Sequence, residues 1–247
     1  GTLGTDAANV AQVKELVDTA KTHYYSVKST NQNNYDNDLA TGEDSMAAGV
    51  SAKALGDRSV ALGNNTEAQS LGSITVGAGY EDPANPGSLK QTLAISGYQY
   101  NTAIGAGAQA AGNDSLAIGT LATSSIKNGG SSVDKAIAIG YSAGVSDDKA
   151  IAIGSDAKSN SKSASAIGDS AQALAENALA VGTNTQAEGV SSGTIGTQNR
   201  VTGANTYVLG SQNSTSATGT AADVSASNSG IFGNENRMEG DSNRIVG

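Results

Sequence analysis

The chain has 247 residues, of which 32 are glycine, eight are tyrosine, one is phenylalanine and none is cysteine or tryptophan. So few large side chains make an ordinary globular core difficult to build, whereas a stack of thin repeated layers needs only small apolar groups. The net charge of −9 argues against nucleic acid and anionic lipid as partners, and the absence of cysteine excludes disulfides and thiolate metal sites.

The first predicted element is a helix near the amino terminus. Apolar residues within 6–28 are spaced 3, 4, 3, 4 and 3 apart, which is the a/d pattern of a coiled coil. These seam residues are Val10, Val13, Val17, Ala20, Tyr24 and Val27. Asp6 is placed to cap the helix. We assign residues 1–28 to a coiled-coil stalk or neck segment and residues 29–43 to a transition.

A glycine that closes the same short phrase recurs throughout residues 44–247. The phrase is small, large apolar, small, large apolar, glycine, as in Ala150–Gly154 and Ala178–Gly182. Nine of the twelve intervals between these glycines are 14 residues, and the others are 28, 21 and 23. The glycines are Gly49, Gly63, Gly77, Gly105, Gly119, Gly140, Gly154, Gly168, Gly182, Gly196, Gly210, Gly233 and Gly247. A fixed short period indicates a repeat architecture.

Each coil, numbered from its glycine as position 0, contains two different strands. Position −1 is apolar and position −2 is Ala, Thr, Val or Ile in every coil, so the first strand is dry on both faces. Positions +3 and +5 are often small, whereas +2 and +4 are polar or variable, so the second strand has one wet face. Corners fall at the glycine and near +7, where glycine suits positive φ. We predict a flat parallel solenoid whose first sheet is covered by further copies of the chain.

The repeated Ser-x-Ala-Ile-Gly-x-x-Ala-x-Ala-x-Gly phrase resembles the YadA-like head of the trimeric autotransporter adhesins. Asp6–Val13 resembles the neck or stalk of that family, and Thr22–Val27 resembles its junction of stalk and head. The resemblance implies an all-β solenoid, namely a left-handed parallel β-roll over 44–247, with three chains around one axis. It also implies attachment to the outer membrane of a Gram-negative bacterium. The sequence departs from the family in that the membrane anchor and most of the stalk are absent from it. Because it opens within a phrase at Gly1 and stops on the repeat glycine Gly247, we expect a piece of a longer protein.

The same resemblance implies a function at the cell surface. It implies adhesion to host cells or to matrix proteins of the fibronectin, collagen or laminin class, self-association between neighbouring cells, and biofilm. A structural trimeric solenoid of a phage or other fibre is the alternative, because it would share the fold. We expect no enzyme, since a polysaccharide-active solenoid needs paired carboxylates and the acids here show no recurrent pair. An ice-binding solenoid needs Thr-x-Thr rows, which the sequence lacks.

Three insertions break the period, and the first is the predicted ligand-binding site. Between Gly77 and Gly105 the interval exceeds one coil by 14 residues, and this stretch holds both prolines of the chain. Insertions in solenoids form loops, and loops often carry binding. The candidate ligand-binding residues are Tyr80, Glu81, Asp82, Tyr98 and Tyr100. The alternatives are a tolerated excursion without function and a degenerate coil hidden around residues 93–97.

The remaining irregular features are less favoured as binding sites than the first insertion, or predict none. The insertions near 127–134 and 214–228 are rich in small residues and are interpreted as flexible. Residues 105–110 match a relaxed dinucleotide fingerprint, but they open no helix and the repeat explains them, so we expect no cofactor. His23 is the only histidine, so no histidine-based metal or catalytic cluster is expected within one chain.

The last coils depart from the repeat. Position +3 is asparagine in three of them, at Asn199, Asn213 and Asn236. These residues predict a ladder of side-chain amides along the stack, which stabilises the fold and is not a binding site. Position −3 also changes, to Gly193, Tyr207, Gly230 and Arg244, so we expect different packing at this end.

Overall fold

The computed structural model describes residues 10–20, 33–124, 133–213, 222–224, 226–238 and 240–247. The chain divides into two compact units, Gly1–Thr30 and Asn31–Gly247. The first contains one short helix and the second is a parallel β-solenoid. Most of the second and third insertions, at 125–132 and 214–221, lies outside the described residues.

The helix α1 spans Val10–Ala20, inside the segment where the heptad pattern predicts it. Val10, Val13 and Val17 of the seam are 86%, 46% and 54% exposed, so this apolar stripe is open in a single chain. A coiled-coil seam of this kind is buried only against other helices. The rest of the predicted helix, with Asp6 and His23, lies outside the described residues.

Thirteen parallel strands form one sheet, here called the long sheet. They are β1 (Met46–Ala48), β3 (Val60–Leu62), β5 (Ile74–Val76), β9 (Thr102–Ile104), β11 (Leu116–Ile118), β13 (Ile137–Ile139), β15 (Ile151–Ile153), β17 (Ser165–Ile167), β19 (Leu179–Val181), β21 (Gly193–Ile195), β23 (Tyr207–Leu209), β25 (Gly230–Phe232) and β26 (Arg244–Val246). Each strand occupies positions −3 to −1, directly before the repeat glycine.

Eleven parallel strands form the second sheet, here called the short sheet. They are β2 (Lys53–Ala54), β4 (Thr66–Ala68), β8 (Thr92–Ala94), β10 (Gln109–Ala110), β12 (Thr123–Ser124), β14 (Gly144–Val145), β16 (Lys158–Ser159), β18 (Gln172–Ala173), β20 (Gln186–Ala187), β22 (Asn199–Val201) and β24 (Ala222–Val224). An antiparallel hairpin of β6 (Tyr80–Glu81) and β7 (Leu89–Lys90) stands apart from both sheets.

Successive coils pair in register. Ile137 lies beside Ile151, which lies beside Ser165. The register also survives the long intervals, because Leu116 pairs with Ile137 and β5 pairs directly with β9. The predicted parallel solenoid, with about thirteen turns of about 14 residues, is therefore confirmed. The stack extends back to a parallel bridge between Ala40 and Ala54.

The interior of the solenoid is thin and is filled by small side chains, as the alternation predicts. Ala150, Ala152 and Ala157, at positions −4, −2 and +3 of one coil, are fully buried, and so is Ser159 at +5. Two sheets lined by alanine leave no room for a large side chain between them. The core of this fold therefore depends on uniform smallness and not on large apolar groups.

Each coil turns at two edges. The glycine edge contains the corners from position 0 to +2, and the opposite edge contains the corners from +6 to −5. At Gly154 the backbone has φ +135°, and a Cβ there would overlap the carbonyl oxygen of Gly168 in the next coil. At +7 the backbone has positive φ at Gly112 and Gly240, as predicted, but not at every glycine of this corner. Gly56 and Gly189 do not have positive φ, but a Cβ on either would overlap a backbone carbonyl of the next coil.

The amide ladder predicted for the last coils is confirmed. The backbone N–H of Asn213 donates to Asn199 Oδ1 at 3.0 Å, and that of Asn236 donates to Asn213 Oδ1 at 3.0 Å. The Asn213 Nδ2 donates to the carbonyl of Gly233 at 2.9 Å. The interior here also holds larger groups, which are Val201, Val208, Ile231 and Met238. The packing at this end differs from that of the alanine-lined coils.

Candidate functional site

The residues between Gly77 and Gly105 form one turn of the solenoid with an insertion, so the alternative of a degenerate coil around residues 93–97 is wrong. Leu93 pairs with Glu67 on one side and with Gln109 on the other, so its strand β8 belongs to the short sheet. A hidden coil would have added a strand to the long sheet between β5 and β9, which instead pair directly. An apolar strand fits either sheet by its alternation, and only the pairing partners decide between them.

The hairpin leaves the solenoid at the glycine edge, and Tyr80 lies at its base. Tyr80 pairs with Lys90 across the two strands. A Cβ on Gly107, in the next coil, would lie 2.8 Å from the Tyr80 Cβ and 3.1 Å from Leu121 Cδ2. Gly107 therefore leaves the space into which Tyr80 and Leu121 pack. Leu121 adopts φ 60°, which is unusual for a branched residue and places its side chain against this base.

The two predicted acidic residues are engaged within the hairpin. Glu81 Oε1 accepts the backbone N–H of Gly87 at 2.8 Å. Asp82 Oδ1 accepts the backbone N–H of Ala84 at 2.9 Å, which closes a turn at the tip. In this chain the carboxylates therefore hold the hairpin in one conformation.

The other two predicted residues lie at the opposite edge of the same turn. Tyr100 has φ 55° and is 55% exposed, and a Cβ on Gly72 would lie 2.7 Å from its Cδ1. Tyr98 is half-buried in the same corner. The strand β8 separates this corner from the hairpin, so the five candidate residues form two groups within one chain. Their role in ligand binding stays a prediction.

The corner that carries these tyrosines, residues 95–100, is here called the long corner. It is tied to the solenoid on two sides. Asn101 Nδ2 donates to the carbonyl of Ile95 at 3.3 Å, and the N–H of Ser96 donates to Gln69 Oε1 at 2.9 Å. Gln69 in turn donates to Glu67 Oε1 at 2.6 Å. The long corner is thus positioned by the short sheet beneath it.

A second candidate surface is the outer face of the long sheet, here called the apolar face. It consists of the side chains at positions −3 and −1, because position −2 points into the interior. Members of this face that are more than a third exposed are Met46, Ile74, Ile153, Ile167, Ile195, Tyr207, Leu209, Phe232 and Val246. A contiguous apolar face of this kind marks an interface in soluble proteins.

The outer face of the short sheet has the opposite character. Position +4 is mostly polar along the stack, as at Lys158, Gln172 and Gln186, so the predicted wet face is confirmed. Arg200 makes a two-pronged ion pair with Glu188, at 2.9 Å from Nε to Oε1 and 2.8 Å from Nη2 to Oε2. One sheet of the solenoid thus faces water, while the other presents apolar side chains.

One structural row was missed by the sequence analysis. At position −6 a side-chain oxygen repeatedly accepts the backbone N–H of the coil before it, as Asp57 does from Glu43 and Asp148 does from Asp134, each at 3.0 Å. The recurrence of Asp and Asn at this position was a readable signal. Among the described residues, no three His, Cys, Asp or Glu side chains are grouped so as to hold a metal ion.

Comparison with protein families identifies the repeat. Residues 40–66, 102–122, 134–157 and 159–192 match the model of the YadA head domain repeat, which covers two copies. The matched segments flank the hairpin and end before the asparagine ladder. Comparison with curated proteins finds no match. Within the described ranges, no helix combines the length and apolar character that crossing a membrane requires.

Proposed function

Because this chain carries the head repeats of the YadA-like trimeric autotransporter adhesins, we propose that it forms a left-handed homotrimeric head that attaches a Gram-negative bacterium to host matrix proteins. The family suggests an adhesin exposed at the cell surface. We include fibronectin, collagen or laminin as the ligand class, and self-association leading to biofilm. Binding is the whole activity, without catalysis. The proposed division is a stalk or neck over 1–28, a transition over 29–43 and a head over 44–247.

The apolar face carries this proposal. It follows all thirteen strands of the long sheet, and its members Ile153, Ile195 and Phe232 are 37%, 45% and 58% exposed in the single chain. A partner must offer a matching apolar surface over about 60 Å, at about 4.8 Å per strand. Another copy of the same chain has that length and that spacing. The resemblance to trimeric adhesins supports three copies.

Three copies also suit the proposed activity. The regular coils offer similar shallow surfaces and few deep features, so a single contact with a ligand is expected to be weak. Simultaneous engagement of several sites raises apparent affinity by roughly 10²–10⁴ when the geometry allows it. Matrix proteins are themselves repetitive and present many equivalent sites to such a trimer.

The trimer is tested by light scattering on two matched variants. Ile139→Asp places a carboxylate on the apolar face, whereas Gln172→Asp places one on the wet face of the short sheet. We expect a trimer for the parent chain and for Gln172→Asp, and loss of the trimer or of folding for Ile139→Asp. A folded monomer of the parent chain at micromolar concentration would contradict the proposal.

The ligand class is tested by attachment of the trimer to immobilised fibronectin, collagen and laminin. A shortened variant that joins Ala78 to Gln91 locates the site. Thr92 Oγ1 donates to the Ala78 carbonyl at 2.7 Å, so the new ends already lie close together. Thr92 and Ala94 then return to positions +3 and +5. If the shortened trimer attaches as well as the parent, the site lies on the regular coils or on the later insertions. If the parent trimer attaches to none of the three proteins, this ligand class is wrong.

A further inference from the structure

Two irregular features of the head, the hairpin and the long corner, belong to the same turn and lie on opposite edges. The hairpin, residues 80–90, emerges at the glycine edge, and the long corner, residues 95–100, forms the opposite edge two residues longer than a regular one. The neighbouring turns are regular at both edges, since β4 with β5 and β10 with β11 keep the ordinary spacing. Contacts within one chain do not explain why the hairpin and the long corner occur in the same turn.

Rotational symmetry supplies one. Because the apolar face runs along the whole stack, copies that cover it lie side by side, with the symmetry axis parallel to the stack. A rotation about such an axis keeps every turn at its own height. In a closed ring the contact is heterologous, so the glycine edge of one chain faces the opposite edge of the next. The hairpin of one chain therefore stands at the height of the long corner of its neighbour.

We propose that the hairpin of each chain docks on the long corner of the adjacent chain, an inference that rests on the trimer of the proposed function. The surfaces are compatible in chemistry. The hairpin offers Leu89, which is 48% exposed, and the exposed Pro83 and Pro86. The long corner offers Tyr98 and Tyr100 and contains no charged residue. Tyrosine is enriched at protein interfaces, and charged residues are depleted from interface cores.

Both partners are held in place before they meet. The carboxylates of Glu81 and Asp82 fix the hairpin through its own backbone, and Gln69 and Asn101 fix the long corner. Preorganised surfaces lose little conformational freedom on association. The five candidate ligand-binding residues, which one chain keeps in two groups, come together in this contact between two chains.

Engineered cysteines test the contact directly, because the chain has no cysteine of its own. The variant Leu89→Cys/Gln99→Cys of the full 247-residue chain carries one thiol on the hairpin and one on the long corner. Treatment of the trimer with a short bismaleimide is expected to give covalently linked trimers on a denaturing gel. The matched control is Leu89→Cys/Lys162→Cys. Lys162 is exposed and occupies position −6, as Gln99 does, but it lies four coils further along the stack. The control is expected to stay monomeric on the gel.

The outcomes separate this inference from its premise. A trimer by light scattering that gives no linked species with the first pair, or equal linking with both pairs, overturns the docking but leaves the trimer. A monomer by light scattering overturns the proposed function itself. In that case both proposals fail, and the hairpin is then a surface open to an external partner.

A double-mutant cycle gives a second, independent measurement. Leu89→Ala and Tyr100→Ala remove the two exposed side chains, which lie on opposite edges of one chain. Distant sites within a chain add, whereas residues in contact couple. We expect each variant to lower the melting temperature of the trimer, and the double variant to lower it by clearly less than the sum. Strict additivity contradicts the docking.

Discussion

The regular coils over 133–192 and the last coils over 193–247 have the same backbone arrangement and differ in the side chains that fill the interior. Both keep strands at the same positions and pair in register, as Ile151 with Ser165 and Gly193 with Tyr207 show. At position −2 the regular coils have alanine, as at Ala152, whereas the last coils use Val208 and Ile231. The glycine corner and the pairing thus define the fold, and the interior allows more than one solution.

The hydrogen bonds of the glycine corner show how the two solutions compare. In the regular coils the N–H at +3 donates to the glycine carbonyl of its own coil over a long distance, 3.5 Å for Ala157. In the last coils the N–H at +3 donates instead to the side chain of the asparagine at +3 of the coil before it, as Asn213 does to Asn199 at 3.0 Å. At position +3 the asparagine coils therefore gain side-chain bonds that link one coil to the next, whereas the alanines at this position in the regular coils have no side-chain hydrogen-bonding group.

The largest expected effect is on the glycine corner, which both regions share. Gly154→Ala forces an alanine to φ +135° and overlaps the carbonyl oxygen of Gly168. We expect a loss of more than about 4 kcal/mol of stability, or no folding, by thermal melting followed with circular dichroism. Gly144→Ala is the control, because a Cβ there meets only Thr123 Oγ1 at 3.7 Å. Equal melting of both variants would mean that the corner does not require glycine.

Opposite exchanges at position −2 test the two interiors. Ile231→Ala leaves a cavity among the larger groups of the last coils, and we expect a loss of about 2–5 kcal/mol. Ala152→Ile overfills the thin regular interior, and we expect a loss of about 1–3 kcal/mol. Denaturant titration measures both. If Ala152→Ile is neutral, the regular interior is not limited by space and the contrast between the regions fails.

The asparagine ladder is tested at its centre. Asn213→Ala removes the acceptor of the Asn236 N–H and the donor to the Gly233 carbonyl, in a side chain that is fully buried. We expect a loss of about 1–3 kcal/mol, seen as a lower melting temperature. The exposed Asn160→Ala should leave the melting temperature unchanged. An unchanged value for Asn213→Ala as well would show that the last coils can adopt the alanine arrangement without cost.

The smallest expected effect is on the wet face, which runs across both regions. Arg200→Met removes the ion pair with Glu188, in which the two side chains are 39% and 25% exposed. We expect a loss of about 0.2–1 kcal/mol at low salt, and a smaller loss at high salt, because solvent and ions screen the pair. Melting curves at two ionic strengths measure it. A large loss of stability that is the same at both ionic strengths would show that Arg200 contributes through packing.

Most of the fold could be predicted because the repeat averages over many coils. The glycine period, the small residues at +3 and +5, and the ladder of Asn199 and Asn213 each follow from position alone. The turn around Leu93 could not be predicted, because an apolar strand suits either sheet and only its partners in space decide. For the same reason the sequence placed Tyr80 and Tyr100 in one site, although their corners lie on opposite edges.

The in-register pairing keeps the contacts between strands local along the chain. Ile139 pairs with Ile153, and Ile153 with Ile167, so each new coil needs only the coil before it as a template. The loop that must close for each added coil is a constant 14 residues in the regular region, so its entropic cost does not grow as the stack lengthens. Folding of this head can thus proceed as a zipper, one coil at a time, with nearest-neighbour cooperativity. The turn with the hairpin, in which β5 and β9 are separated by an interval of 28 residues, has the longest loop to close in that zipper.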